Sequence, residues 1–211
     1  MRTQVLTAPS DADFETFYPL AQIKADLVIA SDKHNERLKR LLRAAVRVSG
    51  QAARCVILPT TQRTYFNPPV YKNDCFGLTA RWIDRDRTIN GLVVQGPLIS
   101  ITSILDGSDT VNPSLYEDQS DNSAKGTGRI GWRNPDGTPL LTRYARNPLT
   151  VEYVAGFTDP TDIATIKQAV FEIMANWHMN PGEVAEMTVQ SVPKSALTIL
   201  AAYWSSRTNR L

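Results

Sequence analysis

The residues whose types could support catalysis or metal binding are few and lie far apart in the sequence. The 211 residues include two histidines, His34 and His178, and two cysteines, Cys55 and Cys75. Neither histidine has a Cys, Asp or Glu at metal-ligand spacing in a helix, and a zinc site usually needs three or four protein ligands. A Cys-His nucleophile pair would require tertiary contact, and no G-x-S-x-G motif is present. We therefore interpret both histidines as structural and expect no catalytic residue, metal or cofactor.

Two polar motifs match ligand sites only in part. Asp84 and Asp86 form a D-x-D pair, but they alternate with Arg85 and Arg87, which favours a self-neutralised turn over a metal site. The segment Lys125-Gly126-Thr127-Gly128 lacks the G-x-x-x-x-G-K-[ST] order of a phosphate loop, and no helix follows it. We interpret it as part of a flexible loop from Glu117 to Gly128.

Composition restricts the class of protein. The formal net charge of +2 is too small to predict a general polyanion binder, and the 42% hydrophobic content is sufficient for a core. Two cysteines do not make a disulfide framework, so we expect reduced thiols, with a bridge between paired strands left open. No apolar run approaches the ~18 residues of a membrane span, and the N-terminus lacks a signal-peptide pattern. These features favour a soluble cytoplasmic product.

A basic stripe on one helix is the main polar feature. From Ser31 to Arg54 there are seven Lys or Arg residues and two acids. At helical spacing, one face of this segment is apolar and the other is basic. The basic face is either a solvated surface or a contact with an acidic protein or with DNA phosphates. Its members are Lys33, Arg37, Arg40, Arg43 and Arg47.

Helical periodicity appears near both ends of the chain. Pro19 to Ala30 predicts a helix with Pro19 at its first position, and a second helix runs from Ser31-Asp32 to about Ala53. A third begins at a cap near Asp159 and ends near Asn180, and a short one begins at Pro193. We expect a core in which the second and third of these helices pack together through Leu41, Leu42, Val170 and Trp177.

The middle of the chain has strand signals. Strands are predicted at Val56–Phe66, Phe76–Ile83, Ile89–Val94, Leu98–Leu105, Arg129–Trp132, Leu140–Tyr144 and Val151–Phe157. Pro59 favours an edge or bulge, Asp106-Gly107 favours a hairpin turn, and Asn134-Pro135-Asp136-Gly137 favours a second one. The predicted fold class is α+β: a small bundle of two N-terminal helices with one long and one short C-terminal helix, and an inserted antiparallel sheet.

We treat residues 1–211 as one domain with five parts. These are an N-terminal arm at 1–17, a helical hairpin at 18–54, a β-rich insertion at 55–157, C-terminal helices at 158–204 and a tail at 205–211.

The order of these elements resembles the head-tail connector proteins of long-tailed phages and gene transfer agents, also called adaptor or head-completion proteins. The matching pieces are Pro19 to Leu27, Leu41 to Ala45, Gln62 to Phe66, Gly96 to Ile104, Val151 to Phe157 and Ala169 to Trp177. Each is a packing motif, and the resemblance depends on their order and spacing over nearly the whole chain.

The resemblance implies a structural function without enzyme activity. Such proteins form a ring, usually of twelve copies, that binds the portal protein, extends the DNA channel and docks a neck, stopper or tail-completion protein. Genome DNA would pass through without sequence-specific binding. The expected location is the virion neck, with host cytoplasm during assembly, and no membrane partner. The alternative is a nucleic-acid-binding regulator that uses the basic helix 31–54.

The C-terminus is the predicted docking element. A short helix with Leu197, Leu200 and Trp204 on one face is marginal alone, so it requires a partner surface. We expect that surface to belong to the portal or an adjacent subunit, with helix packing on its own domain as the alternative. The expected contact residues are Trp204, Arg207, Arg210 and Leu211.

Overall fold

The computed structural model describes residues 2–66, 70–74, 77–81, 87–88, 91–120, 126–133, 139–140, 148–180 and 192–203. These residues form an α+β fold, as the sequence predicts. The helices are α1 Asp11–Phe17, α2 Leu20–Asp26, α3 Asn35–Ala53, α4 Pro160–Met179 and α5 Lys194–Ala201. The strands are β1 Arg2–Thr7, β2 Thr60–Phe66, β3 Val70–Asp74, β4 Gly77–Arg81, β5 Arg87–Thr88, β6 Gly91–Gln95, β7 Leu98–Asp106, β8 Asp109–Thr110, β9 Tyr116–Asp118, β10 Thr127–Arg133, β11 Pro139–Leu140 and β12 Leu149–Ala155.

The helices share one hydrophobic core. The apolar face of α3 predicted from the sequence is buried, and it joins α4 and α5 in a single cluster. Helix α4 begins as predicted, because the Asp159 carboxylate accepts hydrogen bonds from the backbone N–H groups of Thr161 and Asp162 at 2.7 and 3.3 Å. None of the described helices is long and apolar enough to cross a membrane.

The strands form two larger antiparallel sheets and a separate hairpin. The first sheet has the order β1-β2-β12-β7-β8, and the second has the order β11-β10-β6-β5 with β9 also paired to β10. The hairpin consists of β3 and β4. The inner faces of the two larger sheets meet in a second cluster, where Ile104 and Val151 lie with Leu92 and Ile130.

Polar side chains occupy part of the inner face of β2. Gln62 and Thr64 are buried, as is Tyr153 on the neighbouring β12. The Tyr153 hydroxyl donates to Gln62 Oε1 at 2.8 Å and lies 3.2 Å from Thr64 Oγ1. Thr64 Oγ1 in turn lies 3.0 Å from Thr3 Oγ1 of β1. These contacts satisfy buried polar groups that would otherwise destabilise the sheet.

The polar residues at the N-terminus predict a loose arm over about the first dozen positions, and this prediction is wrong. Strand β1 pairs with β2, and α1 follows it. Helix α1 begins with a capping box in which Ser10 and Asp13 exchange backbone and side-chain hydrogen bonds. The arm is ordered because its hydrogen-bonding groups find partners, although most of β1 is exposed.

The first predicted helix is shorter than expected. Pro19 lies at the N-cap of α2 instead of its first turn, and α2 ends at Asp26. Val28 has a φ of +58°, which is incompatible with a continuing right-handed helix. The next helix begins with a 3₁₀ turn at Asp32–His34, capped by the Ser31 side chain, before α3.

The structure also changes the expectations for β2 and for the loop from Glu117 to Gly128. Strand β2 begins only after Pro59, and it lies between β1 and β12 instead of at an edge. The predicted flexible loop from Glu117 to Gly128 contains part of β9 and the start of β10, because both strands form a ladder. The predicted turn at 134–137 lies outside the described residues, as do residues 84–86 of the predicted charged turn, whereas Arg87 begins β5.

Candidate interaction surfaces

The two histidines come together although the sequence places them far apart. The rings of His34 and His178 lie edge to face, with centroids 6.4 Å apart. Burial lowers the pKa of His178, and electrostatic interactions with Arg37 and with His34 lower it further. This environment therefore disfavours the protonated form of the His178 ring. No cluster of three or more His, Cys, Asp or Glu side chains that could hold a metal occurs in the described ranges.

The environment of Cys55 disfavours thiolate chemistry. Cys55 is a buried free thiol, and burial raises its pKa to about 12. Its sulfur is therefore protonated near neutral pH and behaves as a small apolar group in the helical core. Cys75 and the Asp84/Asp86 pair lie outside the described residues.

The basic face of α3 is only partly available to a partner. Arg43 donates to Asp11 of α1 at 2.7 Å, and Arg40 donates to the Glu36 backbone oxygen at 3.4 Å. Lys33 precedes the helix and is exposed, and Arg37 lies near His178. Arg47 is exposed and forms no ion pair with a described residue. The face is thus a mixture of internally paired and accessible cations.

A groove of about 840 Å³ lies between β1 and the C-terminal half of α3. Its lining is largely apolar and includes Val5, Val46 and Ile57, and the arginines that contribute to it are Arg43, Arg47 and Arg54. The basic stripe of the sequence contains Arg43 and Arg47, but the groove itself is not visible in the sequence, because its walls come from segments that lie far apart along the chain. We call the surface formed by Val5, Arg43, Arg47 and Arg54 the groove face.

The predicted core residues lie together. Leu41, Leu42, Val170 and Trp177 are all buried in the cluster formed by the helices, and Trp177 is 0% exposed. Their shared burial shows that α3 and α4 bring these apolar faces into the same core.

The predicted C-terminal docking residues, Trp204, Arg207, Arg210 and Leu211, lie outside the described residues. Helix α5 itself packs on its own chain, where Ala196, Leu200 and Tyr203 are buried in the helical core. The Tyr203 and Phe157 rings lie edge to face with centroids 5.3 Å apart. The expectation that α5 needs a foreign surface is therefore wrong; the alternative of packing on its own domain is observed.

Comparison with solved structures identifies the fold. Over 98% of its length, the chain superposes on 97% of a chain from the neck of an empty gene transfer agent (GTA) particle computed with C6 symmetry, with a TM-score of 0.64 and 14% identity. The chain therefore has the same fold as a chain in the neck of a GTA particle. A chain from the virion of a native GTA particle gives a TM-score of 0.63 at 15% identity with the same coverage. A third, from the native neck computed with C12 symmetry, gives 0.56 at 15% identity.

The neck-protein fold confirms the resemblance found in the order of sequence elements. No protein-family model matches the sequence, and no curated protein sequence matches it.

Proposed function

We propose that this chain is a structural component of the neck of a tailed phage or gene transfer agent particle. The observation that supports this proposal is the superposition on GTA neck chains over 98% of this chain and 97% of the neck chain. Because coverage is nearly complete, the likeness extends over both the helical core and the sheets of this chain and is not limited to one common motif.

In the proposed assembly the chain acts without catalysis as a head-tail adaptor. Twelve copies form a ring beneath the portal protein, extend the DNA channel and dock a neck, stopper or tail-completion protein. A neck ring requires heterologous contacts that close by rotation. The small net charge of +2 is compatible with DNA passage, because strong phosphate contacts would resist movement of the genome. Assembly would begin in the host cytoplasm.

The regulator alternative receives less support from the basic helix. Arg43 pairs with Asp11 and Lys39 pairs with Glu36 at 3.3 Å, so part of the positive charge is neutralised within the chain. DNA readout by a helix needs side chains that reach base edges in the major groove. The shared fold and the internal ion pairs together favour the neck function.

Deletion of the gene from the source strain tests this function. We expect DNA-filled heads without attached tails, because the surface that joins the two would be missing. Electron microscopy of purified particles and counts of tailed particles provide the measurement. A plasmid copy of the intact gene is the control and should restore tails. Normal numbers of tailed, functional particles without the gene would contradict the neck assignment.

The C-terminal tail provides a separate test of the portal contact. We propose that Trp204 is an apolar anchor and that Arg207, Arg210 and Leu211 extend the contact at the portal rim. Since α5 packs on its own core, removal of Ser205–Leu211 should leave thermal unfolding unchanged. The truncated chain should bind purified portal more weakly at physiological salt. Equal affinities of the truncated and full chains would exclude the tail as a docking element.

A further inference from the structure

The groove face combines exposed apolar surface with positive charge. Val5 on β1 is 52% exposed, although it is large and apolar. The groove beside β1 is lined by Arg43, Arg47 and Arg54. Of these, Arg43 pairs with Asp11, whereas Arg47 is exposed and forms no ion pair with a described residue. Apolar surface next to an accessible cation fits a partner that presents a carboxylate, since charge complementarity steers association.

The opposite end of the same sheet carries negative charge. Strands β7 and β8 are joined by a tight turn at Asp106–Asp109, in which Gly107 has a φ of +67°. Asp109 is exposed, and the buried Oδ1 atom of Asp106 has no hydrogen-bond partner among the described residues. We call this segment the acidic turn.

The sheet order places these two surfaces at opposite ends of one layer. Strand β1 is the first and β8 the last of five strands. Four strand spacings of about 4.8 Å separate them by about 19 Å, so one copy cannot bring its own two surfaces together. Complementary patches at opposite ends produce a heterologous, head-to-tail contact, which is the type that forms rings.

The edge strands disfavour direct extension of the sheet between copies. Strand β1, at one edge, has a register shift between Val5 and Thr7, and β8, at the other edge, consists of only the 2 residues Asp109 and Thr110. A bulge and a very short edge strand both disrupt the regular hydrogen-bonding edge that an added strand needs. The contact must therefore be made by side chains and by the projecting turn.

We propose that the acidic turn of one copy enters the groove face of the next copy, with Asp109 meeting Arg47 and Val5 of β1 covering the contact. This inference rests on the proposed ring function and identifies a second copy of this chain as the partner. Arg47 provides the positive charge because it is exposed and forms no ion pair with a described residue.

Charge reversal on each side tests the contact. Arg47→Glu and Asp109→Lys should each weaken self-association of the full chain by about tenfold or more, because like charges would meet across the interface. Mixing the two variants should restore association, since each mixed contact pairs opposite charges. The Arg47→Glu/Asp109→Lys double variant should also associate. Sedimentation velocity over rising protein concentration provides the measurement.

Arg40→Glu is the matched control, because Arg40 is exposed on the same helix but does not line the groove. It should associate like the wild type, and circular dichroism should show that all variants fold. A monomeric wild type at its solubility limit, unchanged association of either single variant, or no recovery on mixing would overturn the proposal. Tail attachment in the gene-deletion strain reports separately on the neck function, which could hold even if this contact fails.

Discussion

Trp177→Ala is expected to destabilise the protein by about 3–5 kcal/mol. Trp177 is fully buried on α4, in the same cluster as Leu41 and Leu42 of α3. Removing the indole eliminates its buried apolar contacts and leaves a cavity that neighbouring side chains fill only in part. Since a domain of this kind has a total stability of about 5–15 kcal/mol, the variant would lose a large fraction of it. Urea unfolding of both proteins measures the difference.

Met179→Ala is the matched control for this change. Met179 lies two residues further along α4, but its side chain is 70% exposed. Its truncation should alter the free energy of unfolding by no more than about 0.5 kcal/mol. An unchanged unfolding midpoint for Trp177→Ala would mean that this part of α4 does not contribute to the core.

Elements with a strong local pattern were predictable from the sequence. The buried face of α3 follows from apolar residues at helical spacing, and the inward face of β12 follows from alternation of Val151, Tyr153 and Ala155. The start of α4 was equally clear, because an Asp cap followed by a proline is a local signal.

Elements that depend on distant partners were not predictable in the same way. Strand β1 has no buried alternation, and it forms because its backbone pairs with β2 about sixty residues away. In β2 the inward positions are mostly polar, so hydrophobic patterning alone would misplace its face. The hydroxyl of Tyr153, about ninety residues further on, satisfies Gln62 and lies within hydrogen-bond distance of Thr64.

For the candidate surfaces too, features set by local sequence were predictable, and features set by contacts between distant segments were not. A helical wheel identifies the basic face of α3, but it cannot show that Asp11 pairs with Arg43 and leaves Arg47 accessible. Nor can it place the acidic turn at the far end of the sheet, because strand order depends on pairing between distant segments. The sequence therefore shows which residues are charged, but only the tertiary structure shows which of them are paired within the chain and which are accessible to a partner.

Gly156 connects the first sheet to the helical core at a point of very close backbone approach. Strand β12 ends at Ala155, just before this glycine, and the geometry shows why a glycine is needed. Its φ is +147°, and a Cβ atom would lie 2.7 Å from the Pro59 backbone nitrogen. Its N–H donates to the Pro97 oxygen at 2.9 Å, while the next residue, Phe157, donates to Ile57 at 3.1 Å. Neither the segment before β2 nor the start of β7 can move away without disturbing these bonds.

Gly156→Ala should therefore destabilise the fold by an amount on the order of 2–6 kcal/mol, combining backbone strain with overpacking. Urea unfolding measures the loss. Thr158→Ala is the control, because Thr158 is exposed in the same connection and its truncation should cost less than about 0.5 kcal/mol. Similar stabilities for Gly156→Ala and wild type would show that β12 and the residues before β2 are not held this closely. A selective loss for Gly156→Ala would show that their close approach is required for the fold.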